Sequence, residues 1–331
     1  MISKIKKQIV FSGIQPSGNL HLGNYLGAIK QWIDMQQNYS CIFCIVDYHA
    51  ITIHQDPKEL KRRILEIAKI YLASGIDPKK SIIFQQSDIK EHTELAWILN
   101  CTARVADLDK MTQFKDKSGK NKESVSVGLY DYPVLMAADI LIYGAQIIPV
   151  GEDQLQHVEL ARTIAKRFNS QFGNIFRIPE AQLQKQGARI MGLDDPIKKM
   201  SKSAVNTNNY IALNEKPEIA RNKIMRAVTD SGGEIKYNSQ SKPAISNLLT
   251  IYSLITNISI KELEKQYAGR GYGDFKRELA QVVETFLIGF QAKYNKISDK
   301  EVFDILKAGA TKLEPIAQKI ITNVKKNIGL S

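Results

Sequence analysis

The sequence predicts a parallel α/β sheet domain followed by an all-helical one. Three observations carry this. Short β-branched runs alternate with a helical pattern over the first half, and from about residue 206 the pattern is helical with no strand run. The 331 residues also suffice for roughly two domains with sizeable cores.

The first strand is "KQIVFS" (Lys7–Ser12), the second "CIFCIV" (Cys41–Val46), the third "SIIFQQS" (Ser81–Ser87), and "IIPV" before Gly151 is a further one. Between the second and third, Asp56 suits an N-cap and Pro57 the first helical position. Leu60, Ile64, Ile67, Ala68 and Tyr71 follow at helical spacing, and Gly75 closes the segment. Strand, helix, strand in this order implies a parallel sheet with right-handed crossovers, whose ligands sit at the carboxyl ends of the strands. "PVLMAADILIY" reads as a buried helix, and "SNLLTIYSLI" and "FKRELAQVVETFLIGFQAKY" carry helical apolar spacing further on. Residues 110–124 form a lysine-rich excursion.

Hydrophobic residues make up 44% and charged residues 24%, as in an ordinary soluble globular protein. No apolar run of about 18 residues and no signal-peptide core occurs, which predicts a cytoplasmic protein without membrane contact. The net charge of +12 suits a polyanionic partner, although lysine-rich codon usage gives the same balance. Cys41 and Cys44 have metal-like C-x-x-C spacing, but three apart on a strand they point to opposite faces. They read as core cysteines, and no metal site follows.

Three segments could carry chemistry. After the first strand, Gly13, Ser17, Gly18 and Gly23 allow close backbone approach, and His21 and Asn24 open a helix near its positive end, which suits a phosphate. In "VGEDQLQHVELAR", Gly151 permits a turn and Glu152 and Asp153 stand where carboxylates accept from ribose hydroxyls or favour the helix dipole. "KKMSKS" places Lys198, Lys199 and Lys202 on a loop behind Gly192 and Pro196, which is either a solvated turn or a clamp for a polyphosphate. Each has a structural explanation when taken alone. No P-loop pattern is present to bind nucleotide in the Walker manner.

Their order decides between these readings. "HLGN" resembles the HIGH signature, and "KMSKS" is the second signature of class I aminoacyl-tRNA synthetases. The strings "FSGIQPSGNLHLGNYLGAIKQW", "FCIVDYHAIT", "YPVLMAADIL", "PVGEDQLQHVELAR" and "GARIMGL", with "AVTDS" and "SNLL" later, resemble the bacterial-type tryptophanyl-tRNA synthetases over essentially the whole chain. The resemblance implies a Rossmann-like catalytic domain over residues 1–205, with a connecting insertion about 105–145. A helical anticodon-binding domain would span 206–300, and the segment 301–331 would pack back on the first domain. It implies a homodimer acting on L-tryptophan, ATP with Mg²⁺, and tRNA(Trp).

By the same resemblance His21, Asn24, Lys117, Lys199 and Lys202 serve the phosphates during catalysis. Gln15, Pro16, Ser17, Gly23, Gly151, Glu152, Asp153, Ile190, Met200, Ser201 and Ser203 line the rest of the ATP site. Asp139 is the one charged residue between Asp131 and Glu152, on an apolar helix. Burying it is costly without a donor. A lysine or a helix cap could supply one; the resemblance supplies the indole N–H of tryptophan, with Tyr132, Met136, Phe11 and His49 around the ring. Tyrosine-specific synthetases and carboxylate-activating nucleotidyltransferases without tRNA are the neighbouring alternatives. A non-catalytic RNA-binding protein would have no reason to keep the three signatures together.

Overall fold

The computed structural model describes residues 7–112, 125–183, 189–202 and 204–330. Five parallel strands form one sheet: β1 (Ile9–Ile14), β2 (Ser40–Ile45), β3 (Ser81–Gln85), β4 (Ile147–Val150) and β5 (Glu180–Leu183), in the order β3-β2-β1-β4-β5. The first four lie within two residues of the predicted runs. β5 is the strand that the sequence reading does not anticipate. Its residues "EAQL" are mostly exposed, so it has neither the apolar run nor the β-branched content that marks the others.

β2 shows why the sheet is parallel and covered on both sides. Cys41, Phe43 and Ile45 belong to one apolar cluster, while Ile42 and Cys44 belong to a second. A strand that buries both alternating sets needs helices on both faces. The two cysteines accordingly point into different cores.

On the first face lie the helical run from Leu22 to Asn38 and the helix Pro57–Ser74. The latter is capped as its sequence implies: the Asp56 carboxylate accepts from the Glu59 N–H, and Gly75 takes φ 108° at the other end. The second face carries Glu91–Asn100, Val127–Leu141 and Leu155–Phe172. Beyond residue 210 come Pro217–Arg226, Pro243–Thr256, Ile260–Gln266, Tyr272–Tyr294 and the long helix Asp299–Ile328.

That long helix lies against β3, an edge strand of the sheet. Gly309 sets the approach, because a Cβ there would collide with the Ile83 carbonyl oxygen. Ion pairs Lys69–Asp299 (2.6 Å) and Lys325–Glu94 (3.1 Å) pin the same helix at its two ends. Among the described residues, no single helix is long and apolar enough to cross a membrane.

The strand order places the site. The chain moves from β1 outward to β2 and β3, then returns to the other side of β1 with β4 and β5. The carboxyl ends of β1 and β4 therefore flank the switch point, where a parallel sheet leaves a crevice. β1 runs into the "HLGN" segment and β4 into "GEDQ".

Candidate active site

His21 is the N-cap of the helical run that starts at Leu22. The Asn24 side chain folds back, its Oδ1 accepting from the His21 N–H at 3.0 Å. A distant segment holds this turn by backbone bonds, with Leu22 N–H donating to Ile211 O (2.8 Å) and Leu213 N–H to Leu20 O (3.0 Å). The imidazole is buried, and its Nδ1 has no hydrogen-bond partner among the described residues. Burial first, then the charges of Lys199 and Lys202, lower its pKa from 6.5 to about 4. It therefore stays neutral near pH 7 and can offer a polyphosphate a hydrogen bond without adding charge.

One consequence is measurable. As pH falls, the unfolded chain binds this proton first, near 6.5, and the folded protein only near 4. His21 thus lowers folding stability as pH falls through that window and is without effect above it. An NMR titration of the His21 ring should show a midpoint near 4; a midpoint near 6.5 would contradict the geometry.

The second signature is pinned beside the first. Its loop pairs with the preceding segment through Met200 N–H to Ile190 O (3.0 Å) and Gly192 N–H to Lys198 O (2.8 Å). Buried Asn209 ties the turn together, its Oδ1 accepting from Ser201 N–H (3.0 Å) and its Nδ2 donating to Asp194 (2.5 Å). Met200 packs against the start of the helical run: a Cβ added at Gly23 would lie 2.9 Å from His21 Nδ1 and 3.3 Å from Met200 Sδ. Glycine at position 23 is thus what lets the two signatures touch. Lys202 spans the gap, its Nζ donating to the Ser17 carbonyl at 2.5 Å, next to Gly18 at φ 143°. Partial burial, with Arg63 nearby, lowers the pKa of Lys202.

Of the other predicted nucleotide residues, Pro16 and Ile190 are buried and Lys199 is exposed. Glu152 and Asp153 are exposed on a 3₁₀ turn at the end of β4, ahead of the helix Leu155–Phe172. Gly151 has φ −75°, which any residue adopts, but a Cβ there would lie 2.7 Å from Asp153 Oδ1 and displace that carboxylate. Lys117 and Ser203 lie outside the described residues.

Asp139 is 1% exposed, on the helix Val127–Leu141, and its donors are neither a lysine nor a cap. Oδ1 accepts from Gln86 Nε2 (2.7 Å) and His92 Nδ1 (2.6 Å), and Oδ2 from His49 Nε2 (2.7 Å). Burial alone would raise its pKa, but the hydrogen bonds from His49 and His92 outweigh this and hold the carboxyl well below the usual range. His49 sits past β2 on the turn Asp47–Ala50, and its carbonyl accepts from Gln15 Nε2 at 2.5 Å. That bond joins the first signature loop to the Asp139 group. Tyr132 meets His49 edge-on (6.0 Å between ring centres) and shares a 2.8 Å hydrogen bond with His157. Phe11 stacks on Tyr143 at 5.9 Å, and Met136 is half-buried one helical turn before Asp139.

Sequence reasoning passes over Gln86, His92, Tyr143 and Asn209. Two of them carry a readable signal. Gln86 follows the carboxyl end of β3, and His92 has Leu95, Ala96 and Leu99 at helical spacing after it, which places it on a buried face. Among the described residues, no group of three or more His, Cys, Asp or Glu is arranged to hold a metal ion.

Two signature segments clamped at the crevice of a parallel sheet, with a buried carboxylate group beside them, invite comparison with known proteins. The chain is 52% identical over 321 residues to the tryptophan–tRNA ligase of Caldanaerobacter subterraneus subsp. tengcongensis, covering 97% of this chain and 98% of that one. It superposes on the tryptophanyl-tRNA synthetase of Mycoplasma pneumoniae with a TM-score of 0.92 at 35% identity, covering 98% of both chains. The synthetase of Campylobacter jejuni, solved with ADP and tryptophan, matches with a TM-score of 0.81 at 39% identity, covering 98% of this chain and 100% of that one. A model of the family "tRNA synthetases class I (W and Y)" matches residues 4–288, and the chain belongs to that family.

Proposed function

We propose that this enzyme activates L-tryptophan with ATP and transfers the tryptophanyl group to tRNA(Trp). The observation that carries the chemistry is the Lys202–Ser17 contact, which closes the "KMSKS" loop over the "HLGN" segment at the end of β1. Similarity to tryptophan–tRNA ligases over nearly the full chain supports the substrate.

In the first step a carboxylate oxygen of tryptophan attacks the α-phosphorus of ATP. The bond from that phosphorus to the bridging oxygen breaks, and pyrophosphate leaves with the electron pair. No side chain need act as nucleophile, so the protein's task is to position the reactants and neutralise charge. Lys199 and Lys202 take the β- and γ-phosphates, with Lys117 joining them. Neutral His21 and Asn24 stand at the phosphate end, where the helical run presents its N-terminus. Gln15, Pro16, Ser17, Gly23, Gly151, Glu152, Asp153, Ile190, Met200, Ser201 and Ser203 line the rest of the nucleotide site. In the second step a hydroxyl of the tRNA's terminal adenosine attacks the acyl carbon, and AMP leaves.

Mg²⁺ would accompany ATP, with Glu152 and Asp153, exposed at the end of β4, facing the nucleotide or the ion, and it would supply further charge neutralisation at the phosphates. Asp139 accepts from the indole N–H, with Tyr132, Met136, Phe11 and His49 packed about the ring.

The helical part after residue 206 takes the anticodon end of tRNA, and the net charge of +12 favours such a partner. The enzyme works in the cytoplasm as a homodimer. Supporting the dimer, Trp97 (72% exposed), Val105, Val127, Ile51 and Ile53 are exposed on neighbouring segments. Bonds from Ser126 Oγ to Thr52 O and from Tyr130 OH to Val105 O join those segments. Such an apolar side suits a second copy.

ATP–pyrophosphate exchange with each amino acid in turn, without tRNA, tests this reading. Exchange with tryptophan alone is the expected result. Exchange with tyrosine would overturn the specificity, and exchange with none would overturn the activity.

A further inference from the structure

We infer that His92, held by Tyr143, is a positioning residue for tryptophan selection: it fixes the Asp139 carboxylate so that Oδ2 keeps an open acceptor site for the ring N–H of the substrate. The inference rests on the assignment of Asp139 above. A carboxylate can only accept, so His92 Nδ1, 2.6 Å from Asp139 Oδ1, carries a proton. On the other side of the ring, Nε2 lies 2.6 Å from the Tyr143 hydroxyl. Burial, with Cys44, Asp139 and Glu91 nearby, raises the Tyr143 pKa steeply, so that hydroxyl keeps its proton. The His92 ring is thus held at both nitrogens, by Asp139 on one side and the Tyr143 hydroxyl on the other.

Its effect is to divide the two carboxylate oxygens. Each has about two acceptor positions. Oδ1 fills both, with His92 and Gln86 at 2.6 and 2.7 Å, whereas Oδ2 has His49 as its one donor among the described residues. His92 is 0% exposed and His49 is 6% exposed, its ring meeting Tyr132 and its carbonyl meeting Gln15. Without His92, the carboxylate can rotate and spend the second position of Oδ2 on Gln86, closing the position that the substrate needs. His92 touches neither substrate nor ATP in this scheme and acts through Asp139 alone.

The test compares tryptophan with its benzothiophene analogue, in which sulfur replaces the ring N–H. Wild-type enzyme should favour tryptophan in exchange kcat/KM by about 100-fold or more. His92→Leu should lower kcat/KM for tryptophan about 10- to 50-fold, mainly through KM, and leave the analogue within about twofold. His92→Asn, whose amide nitrogen replaces Nδ1, should restore most of the preference. His92→Gln, whose amide reaches the Nε2 position instead, should not. The Asn–Gln pair gives the answer even if the leucine variant does not fold. Equal losses on both substrates in all variants would make His92 merely structural and overturn the inference, leaving the Asp139 assignment intact. A wild-type enzyme that uses both substrates equally would overturn that assignment itself, and the role of His92 with it.

Discussion

Lys202→Ala is expected to lower kcat for tryptophan-dependent exchange about 10²- to 10³-fold, with little change in KM for ATP. Its ammonium contributes little to the ground state, where the triphosphate charge is spread over many oxygens and Mg²⁺. It matters as negative charge gathers on the departing pyrophosphate, and an interaction that strengthens only there raises kcat. The structure shows how the group is kept ready: Lys202 Nζ rests on the Ser17 carbonyl, a neutral acceptor that a phosphate oxygen readily outcompetes. Arginine should not rescue fully. The lysine Nζ already lies so close to Gly18 that a Cβ there would collide with it, leaving little room for a planar guanidinium. Single-turnover formation of tryptophanyl-adenylate is the measurement, and a rate within about twofold of wild type would remove Lys202 from the chemistry.

The second large effect belongs to Asp139. Asp139→Ala should lower kcat/KM for tryptophan by about 10³-fold or more, because a site built to pair a donor depends on its acceptor. It should also destabilise the fold, since Gln86, His92 and His49 would lose their acceptor in a buried place, at about 1–3 kcal/mol for each group left unpaired. Asp139→Asn keeps the shape but turns an N–H₂ toward groups that donate, so it should behave nearly as badly. Thermal unfolding beside exchange kinetics separates the two consequences. A variant that loses stability yet still charges tryptophan at a normal kcat/KM would show that Asp139 only holds the helix in place.

Much of this molecule was legible because its periodicities are strong. β2 alternates between two cores, and the Asp56–Gly75 helix carries its own start and stop signals. The signature segments could be read as strings, and the strand order then brought them to one crevice. What the sequence withheld is long-range pairing. Asp139 plainly needed a donor, but nothing local says that a glutamine from the end of β3 and histidines from two other segments would supply it. Asn209 is a similar case: its neighbours "NTNNY" look like any polar turn, yet its side chain joins the "KMSKS" loop to Asp194. β5 was missed for the opposite reason, being a strand by its pairing with β4 and not by its composition.

The helix Asp299–Ile328, seated on β3 through Gly309, has a bearing on how the protein is made. A ribosome delivers the strands of the sheet first and this helix long afterwards. Until then the outer edge of β3 offers unpaired backbone groups to any extended chain nearby. The nascent protein therefore carries an open sheet margin while the intervening helices are made, and arrival of this helix, more than formation of the sheet, is what seals it.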